Sequence, residues 1–313
     1  MHKRSASAAF PPCDQRRLAL KRLSRVVCAV AIDDRERHVF AHALALARRN
    51  DAKLLVVHAV SPEVAFNRGA TERVDFLRKL RLMAEGAGVD VRVTVQQGPV
   101  AEIILLHARA RQADLIVLGT GRKENRRGLA GWIAERVLRD APCPTLVVPQ
   151  TSEAPALVES ILCAVDFSPA SHAAVREAVR VSEHGKHRVT LLHVVDRAGS
   201  TDHGHEAKLA PHEFAREVSA EALTRLESLI PQLGQAVAVT RVAVGRPATE
   251  ILRAARNMKA PLIVIGAARR TRIGSRLFGK TGQLLRDARC PILAVPIPTV
   301  ARQATDHFWE RAA

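Results

Sequence analysis

The feature that most constrains the fold is an internal duplication, because the same order of segments occurs twice in the chain of 313 residues. In the second copy, the apolar run 262–265 ends at Gly266, a basic loop follows, and a helix is predicted to begin at residues 279–281. In the first copy, the apolar run 115–118 leads into a basic loop and then a helix-like segment. Both copies then continue through Cys-Pro into another short apolar run.

Short apolar runs alternate with helical patterns throughout both copies, and β-branched runs of this kind are typical of parallel strands buried on both faces. The order predicts an α/β fold with two tandem five-stranded, mainly parallel sheets flanked by helices. Strands are predicted at 26–30, 52–60, 89–97, 115–118 and 145–148, and again at 161–165, 189–195, 236–244, 262–265 and 292–296.

The same pattern divides the chain into two domains with tails and a linker. Pro11-Pro12 interrupts any helix near the amino end, which predicts a basic tail rather than a folded element there. The predicted parts are a basic tail at 1–24, a first domain at 25–149, a linker at 150–159, a second domain at 160–297 and a carboxyl-terminal tail at 298–313.

The formal net charge of +17 predicts anionic partners, such as nucleotides, nucleic acid or acidic proteins. The absence of Tyr and an aromatic content of 3% weigh against a surface that stacks on bases. No apolar run approaches the roughly 20 residues of a membrane helix, so no membrane segment is expected. There is no CxxC pattern or secretory signal, and cysteines recur at matching positions of the two copies, which favours structural thiols in a cytoplasmic protein.

A strand, a glycine-bearing basic loop and a helix start together predict an anion site in the second copy. Glycines let the backbone approach a ligand, and the first turn of a helix offers unpaired N–H groups. Ligands of such sheets bind beyond the carboxyl ends of the strands, so the loops after Val165 and Ile265 are expected to lie side by side.

Residues 274–281 also match the pattern G-x4-G-K-[ST] of phosphate-binding loops. That motif requires a strand directly before it, whereas the strand here ends near Gly266, several residues too early. An anion site at a helix start is therefore favoured over a P-loop nucleotidase, and a solvated basic loop remains the alternative.

These segments, in an order that occurs twice, resemble the universal stress protein family. The resemblance covers nearly the whole chain outside the tails and linker. It is carried by AVDFSPAS (164–171), LLHVVD (191–196), GRPATEIL (245–252), ADLIVLGTG (113–121) and AERVLRDAPCPTLVVP (134–149). The resemblance implies a universal stress protein or adenine nucleotide alpha hydrolase-like domain in each copy, and a family in which some members bind ATP.

In the ATP-binding members, an Asp after the first strand contacts the nucleoside, the backbone of the second strand meets the base, and a loop of pattern G-x2-G-x9-G-[ST] holds the phosphates. In the second copy Arg269 stands where the middle glycine is expected, and Lys280 stands where Ser or Thr is expected. Charged side chains at these positions are suited to contacting phosphate. The resemblance thus implies an ATP site, with or without Mg²⁺, at Asp166, Ser168, Val194, Gly266, Arg269, Gly279, Lys280 and Thr281.

The first copy departs further from this pattern. Ala31 stands at the Asp position, Gly121 is displaced, and the bulky Trp132 replaces the small hydroxyl residue. Loss of a hydrogen bond to a charged group costs about 1.5–3 kcal/mol, or roughly a ten- to hundredfold loss of affinity. The first copy is therefore expected to bind nucleotide poorly or not at all and to serve as a structural partner.

Other roles for these residues remain as alternatives. Asp166 has no paired acid or nucleophile nearby in the pattern, so no catalytic set is assigned, and slow ATP hydrolysis is a third hypothesis. A polar loop contains candidate metal ligands, but a solvated loop is the favoured interpretation and no metal is expected. The candidate ligands are His203, His205, Glu206, His212 and Glu213.

The second function hypothesis is an interaction protein that does not bind ATP and uses a basic face for nucleic acid or acidic proteins. It depends on the two basic loops sharing one face, and it predicts affinity that falls steeply with salt. Residues 145–148 and 292–295 are expected to pair within the chain as a pseudo-dimer, with further homodimerisation left open. The basic loops contain Arg122, Lys123, Arg126 and Arg127 in the first copy and Arg269, Arg270, Arg272 and Arg276 in the second.

Overall fold

The computed structural model describes most of both copies and little of the tails or basic loops. For residues 211–216, 232–233, 238 and 277–280 it describes only the backbone. The described residues are 23–32, 37–61, 69–121, 132–152, 160–182, 188–196, 211–233, 238–259, 262–267 and 277–297.

Each half of the chain contributes five strands and four α-helices among the described residues. The first half consists of β1 (Arg25–Ala29), α1 (Arg37–Asn50), β2 (Lys53–Val60), α2 (Ala70–Gly86), β3 (Val91–Gln97), α3 (Val100–Ala110), β4 (Leu115–Gly119), α4 (Trp132–Asp140) and β5 (Thr145–Val148). The second half consists of β6 (Ser160–Ala164), α5 (Pro169–Val181), β7 (Arg188–Val195), α6 (Pro211–Glu227), β8 (Ala238–Val244), α7 (Pro247–Asn257), β9 (Leu262–Ala267), α8 (Leu277–Asp287) and β10 (Ile292–Pro296).

The strands form one sheet of ten in the order β3-β2-β1-β4-β5-β10-β9-β6-β7-β8. Within each half every described pairing is parallel, which confirms the predicted α/β class. The two five-stranded sheets are joined, however, because β5 and β10 pair antiparallel with Leu146 opposite Leu293. This junction confirms the predicted pairing of the last strands within the chain.

The sheet is buried on both faces because its strands alternate apolar side chains between two cores. In β1, Val26 and Cys28 face one core and Val27 faces the other. The first core packs under α1, α2, α5 and α6, and the second packs under α3, α4, α7 and α8. Each fully buried large side chain, such as Phe40 or Ile263, contributes about 1.5–3 kcal/mol relative to exposure.

The start of α5 follows the local rules that the sequence predicted. Ser168 is the N-cap, and its hydroxyl oxygen accepts a hydrogen bond of 3.2 Å from the Ser171 backbone N–H. Pro169 occupies the first turn, where its missing N–H and its preset φ are compatible with the helix. This cap fixes the point at which the chain turns from β6 into the helix.

The start of α8 differs from the prediction, because the helix begins at Leu277 instead of Gly279. Gly279 and Lys280 are the third and fourth residues of α8 and lie in its first turn. The N–H groups of the first four residues of a helix have no partner within the helix. Thr281 lies one residue beyond this turn. The prediction placed the helix start too late because it took a glycine as a boundary, and a glycine is also tolerated inside a helix.

Candidate functional site

A crevice forms where the central strand of the second half stops before its two neighbours. The last pairs of β6 are Ala164 with Leu192 of β7 and Cys163 with Val264 of β9. Both neighbouring strands continue for three residues, to Val195 and Ala267 respectively. Because β6 lies between two strands that follow it in the chain, this is the switch point at which α/β sheets bind ligands.

Asp166 lies at the end of β6, exposed in this crevice. Its Oδ1 accepts a 3.0 Å hydrogen bond from the Ser168 backbone N–H. Desolvation opposes the charged carboxylate, but hydrogen bonds from Ser168 and Ser171 outweigh it, and the pKa of Asp166 is lowered. The carboxylate is therefore ionised and oriented near neutral pH, and it is suited to accepting hydrogen bonds from hydroxyl or amino groups.

The backbone of Val194 faces the same crevice. The Leu192 carbonyl accepts from Val165 on the β6 side, at 2.8 Å, whereas the Val195 carbonyl accepts from Gly245 on the β8 side, at 2.9 Å. Because these groups alternate along a strand, the N–H and carbonyl of Val194 point to the β6 side, beyond the last paired residue of β6. A planar heterocycle in the crevice would meet these groups edge on.

Gly266 closes the other side of the crevice by bringing β9 against the start of α5. A methyl group added at Gly266 would lie 2.5 Å from the Ala170 carbonyl carbon and 2.6 Å from the Ser171 nitrogen. No side chain fits at that distance. The glycine is thus required for packing of strand against helix, and its role in a phosphate loop stays a prediction.

Phe167 is a feature of the site that sequence reasoning missed. Its φ of 61° lies in the left-handed region, which costs a residue with a large side chain of order 1 kcal/mol or more. The ring packs against His193 with centroids 4.7 Å apart, and the guanidinium carbon of Arg225 lies 4.0 Å from its centroid. This stack stabilises the turn that contains Asp166. The positive φ of Phe167 could not be predicted from the sequence.

His193 has a structural role, as its match with His58 suggested. Its Nδ1 donates to the Val165 carbonyl at 2.8 Å, and His58 makes the equivalent bond to Val30 at 2.9 Å. Each imidazole ties β7 or β2 to the end of the neighbouring first strand. Burial lowers the pKa of His58, an effect that its bond to Val30 partly offsets, so this ring is neutral at neutral pH.

The predicted phosphate ligands lie on α8 and on the loop before it. The backbone N–H groups of Gly279 and Lys280 lie in the first turn of α8, which carries the partial positive charge of the helix. Thr281 is partly buried one residue further along. Arg269, like the rest of both basic loops, lies outside the described residues.

The first half lacks the carboxylate of this arrangement. Ala31 follows β1 where Asp166 follows β6, and Asp33 lies outside the described residues. Trp132, 54% exposed, stands at the first residue of α4. The crevice of the first half therefore offers no anchor at the position that Asp166 occupies in the second.

The two halves also point their crevices in opposite directions. Because β5 and β10 are antiparallel, the strands of the two halves run in opposite directions. The carboxyl ends of β4 and β9 therefore lie on opposite sides of the sheet, at the two ends of its strands. These two strands lead into the two basic loops, and the loops themselves lie outside the described residues.

A second cleft, of about 260 Å³, lies in the second half at the end of the sheet opposite Asp166. It is lined by three cations, namely Arg256, Lys259 and Arg289. Asp287 lines it too, and the carboxyl ends of α7 and α8 point toward it. Helix carboxyl ends carry partial negative charge, which these cations offset. The cleft is accordingly less favourable for an anion than the crevice at Asp166.

No group of three or more His, Cys, Asp or Glu that would hold a metal occurs among the described residues. His203, His205 and Glu206 lie outside them, and only the backbone is described at His212 and Glu213. Within the same part of the chain, no helix is both long and apolar enough to cross a membrane.

This fold and crevice define an α/β protein with a crevice at the switch point of its second half, and known proteins share its architecture. The model of the Universal stress protein family matches residues 23–149 and 158–296. A universal stress protein of Mycobacterium tuberculosis is 29% identical over 269 residues, which are 77% of this chain and 85% of the relative. One of Methanocaldococcus jannaschii is 36% identical over 120 residues, 34% of this chain and 71% of the relative.

A crystal structure of a universal stress protein from Archaeoglobus fulgidus superposes with a TM-score of 0.65 at 15% identity, covering 87% of this chain and 96% of that one. At this identity the likeness supports the fold. Because the family model matches both halves, the chain belongs to the universal stress protein family, with two such domains in tandem.

Proposed function

We propose that this chain is a stress-response protein that binds one ATP, in the crevice of its second half, and that the first half is its structural partner. The observation that carries the proposal is the ionised Asp166 carboxylate at the switch point. It is held by the Ser168 N–H at 3.0 Å and exposed to ligand. The equivalent position of the first half is Ala31.

In this proposal each part of the nucleotide meets a suitable group. The carboxylate of Asp166 accepts hydrogen bonds from the nucleoside, and the backbone of Val194 meets the edge of the base. The N–H groups of the first turn of α8 and the side chains of Lys280 and Arg269 neutralise the phosphates. Ser168 supports the site indirectly, because its hydroxyl and N–H are already bonded to Ser171 and Asp166.

The proposal places the protein in the cytoplasm. The described cysteines, Cys28, Cys143, Cys163 and Cys290, are reduced thiols, and reduced thiols are typical of a reducing compartment. A polyanion-binding function finds less support, because the strands that lead into the two basic loops end on opposite sides of the sheet.

Thermal unfolding with and without excess Mg-ATP tests the proposal. A ligand that binds only the folded protein adds roughly 2.7 kcal/mol at a hundred times its Kd. We expect an upward shift of Tm for the wild type that is lost in Asp166→Ala. Asp287→Ala, which removes an exposed carboxylate at the opposite end of the sheet in the same half, should keep the shift.

An unchanged shift in Asp166→Ala would contradict binding at this crevice. The absence of any shift in the wild type would contradict ATP as the ligand. A further variant, Ala31→Asp, tests whether the missing carboxylate is the only reason that the first half does not bind nucleotide. Because Trp132 still replaces the small residue there, we expect no additional shift.

A further inference from the structure

The junction between the halves contains an asymmetric contact between α4 and α8. The segments Arg139-Asp140-Ala141 and Arg286-Asp287-Ala288 each lead into x-Cys-Pro, so that position 135 corresponds to position 282 and Arg139 to Arg286. The antiparallel pairing of β5 with β10 brings the two helices together on one face of the sheet. Equivalent positions of the two helices therefore face each other across the junction.

Gly282 makes room at this contact for a side chain of the other half. A methyl group added at Gly282 would lie 2.5 Å from Oε1 of Glu135 and 3.0 Å from Nη1 of Arg286. Glycine inside a helix is less favourable than alanine, so its presence calls for a local reason. The Glu135 carboxylate occupies the volume that a side chain at 282 would fill, and because it is the end of a flexible side chain, a substitution at 282 would displace it from Arg286.

The ion pairs between α4 and α8 are asymmetric in the same way as the shapes. Oε1 of Glu135 lies 3.7 Å from Nη1 of Arg286, and the Glu135 side chain is only 24% exposed. The reciprocal pair is missing, since Gly282 offers no carboxylate to Arg139, which instead lies 3.5 Å from Asp140 of its own helix. The pairing of the first half with the second thus places one carboxylate opposite one glycine and beside one arginine.

The alternative pairings would be mismatched. Two first halves from different chains, joined through β5, would bring two Glu135 side chains into the volume that one Glu135 and one glycine share here. Each Glu135 would still face an Arg139 of the other half, so this mismatch is one of overpacking. Two second halves, joined through β10, would face glycine with glycine and leave a gap beside two Arg286 side chains with no Glu135 between them. Unfilled volume and like charges disfavour this second arrangement.

We propose that the contact of Glu135 with Gly282 and Arg286 determines which halves associate. It selects the pairing of the two halves of one chain and disfavours exchange of halves between chains. The partner that this surface of each half fits is the unlike half, and Glu135 and Gly282 are its specificity-determining residues. This inference concerns the junction and is independent of nucleotide binding.

An exchange of the two residues in the full chain tests the proposal. Gly282→Glu should lower Tm and increase the fraction of larger species with concentration in light scattering, because two glutamates compete for one volume. Glu135→Gly should lower Tm by removing the carboxylate that pairs with Arg286. The double variant, Glu135→Gly with Gly282→Glu, restores one carboxylate facing one glycine, with Arg139 in the role of Arg286, and should recover the wild-type Tm and mass.

Gly86→Glu is the matched control, because a side chain added at this helical glycine meets nothing within 4 Å. It should leave the mass unchanged and shift Tm less than Gly282→Glu does. The proposal is overturned if Gly282→Glu behaves like Gly86→Glu. It is also overturned if the double variant shows only the sum of the two single shifts, because the two positions would then be uncoupled.

Discussion

Gly266→Ala tests the role that the structure gives to this glycine. The added methyl carbon would lie 2.5, 2.6 and 2.7 Å from three backbone atoms of Ala170 and Ser171. Ordinary contacts of such a carbon begin near 3.4 Å. The start of α5 must therefore move away from β9 by somewhat under 1 Å, and backbone on both sides leaves no flexible side chain to absorb the shift.

Overpacking of this kind costs typically about 1–3 kcal/mol. At about 2–4 °C per kcal/mol, the range for domains of about 150–250 residues, Tm is expected to fall by about 2–12 °C in the protein without ligand. The assay is thermal and urea denaturation of wild type and variant, with Gly86→Ala as the matched control. Alanine at Gly86 meets nothing within 4 Å, so that substitution should be neutral or slightly stabilising.

The result that would refute this reasoning is an unchanged Tm for Gly266→Ala without nucleotide. Gly266 would then serve only the approach of a ligand, as the loop pattern suggested. Because Ser171 belongs to both the displaced turn and the hydrogen bonds of Asp166, the variant should also bind ATP more weakly.

Three further predictions concern the strained turn, acid stability and thiol reactivity. Arg225→Gln removes the cation above Phe167 and should cost about 0.5–1 kcal/mol in urea denaturation, whereas loss of more than 3 kcal/mol would indicate a different role. Because the pKa of His58 is lowered from 6.5, the unfolded chain binds the extra proton, and stability should fall as the pH drops below 6.5. His58→Gln should flatten that part of the profile, and an unchanged slope would exclude the contribution. Burial raises the pKa of the Cys163 thiol to about 12, so iodoacetamide at pH 8 should modify it only after unfolding, and rapid labelling of the native protein would contradict its burial.

Much of the fold was predictable because it depends on periodic patterns. Buried β-branched runs and the helices between them identified all ten strands, and the resemblance to the universal stress protein family predicted the pairing of β5 with β10. Ser168 and Pro169 predicted the start of α5, since capping is a local property of the sequence.

The remainder depends on long-range geometry that no local pattern encodes. The φ of Phe167 and its stack with Arg225 join residues 58 positions apart, and only the folded chain brings them together. The packing of Gly266 on α5 likewise joins distant segments, so the loop pattern could not predict it. The two-residue error at α8 shows that a glycine alone does not mark a helix boundary.

The central claim, that one nucleotide site lies in the second half, is tested most directly by the stoichiometry of ATP binding. Isothermal titration of the full chain with Mg-ATP should give one site per chain, and Asp166→Ala should abolish it or weaken it about ten- to a hundredfold. Two sites per chain, or a single site that keeps its affinity in Asp166→Ala, would contradict the account.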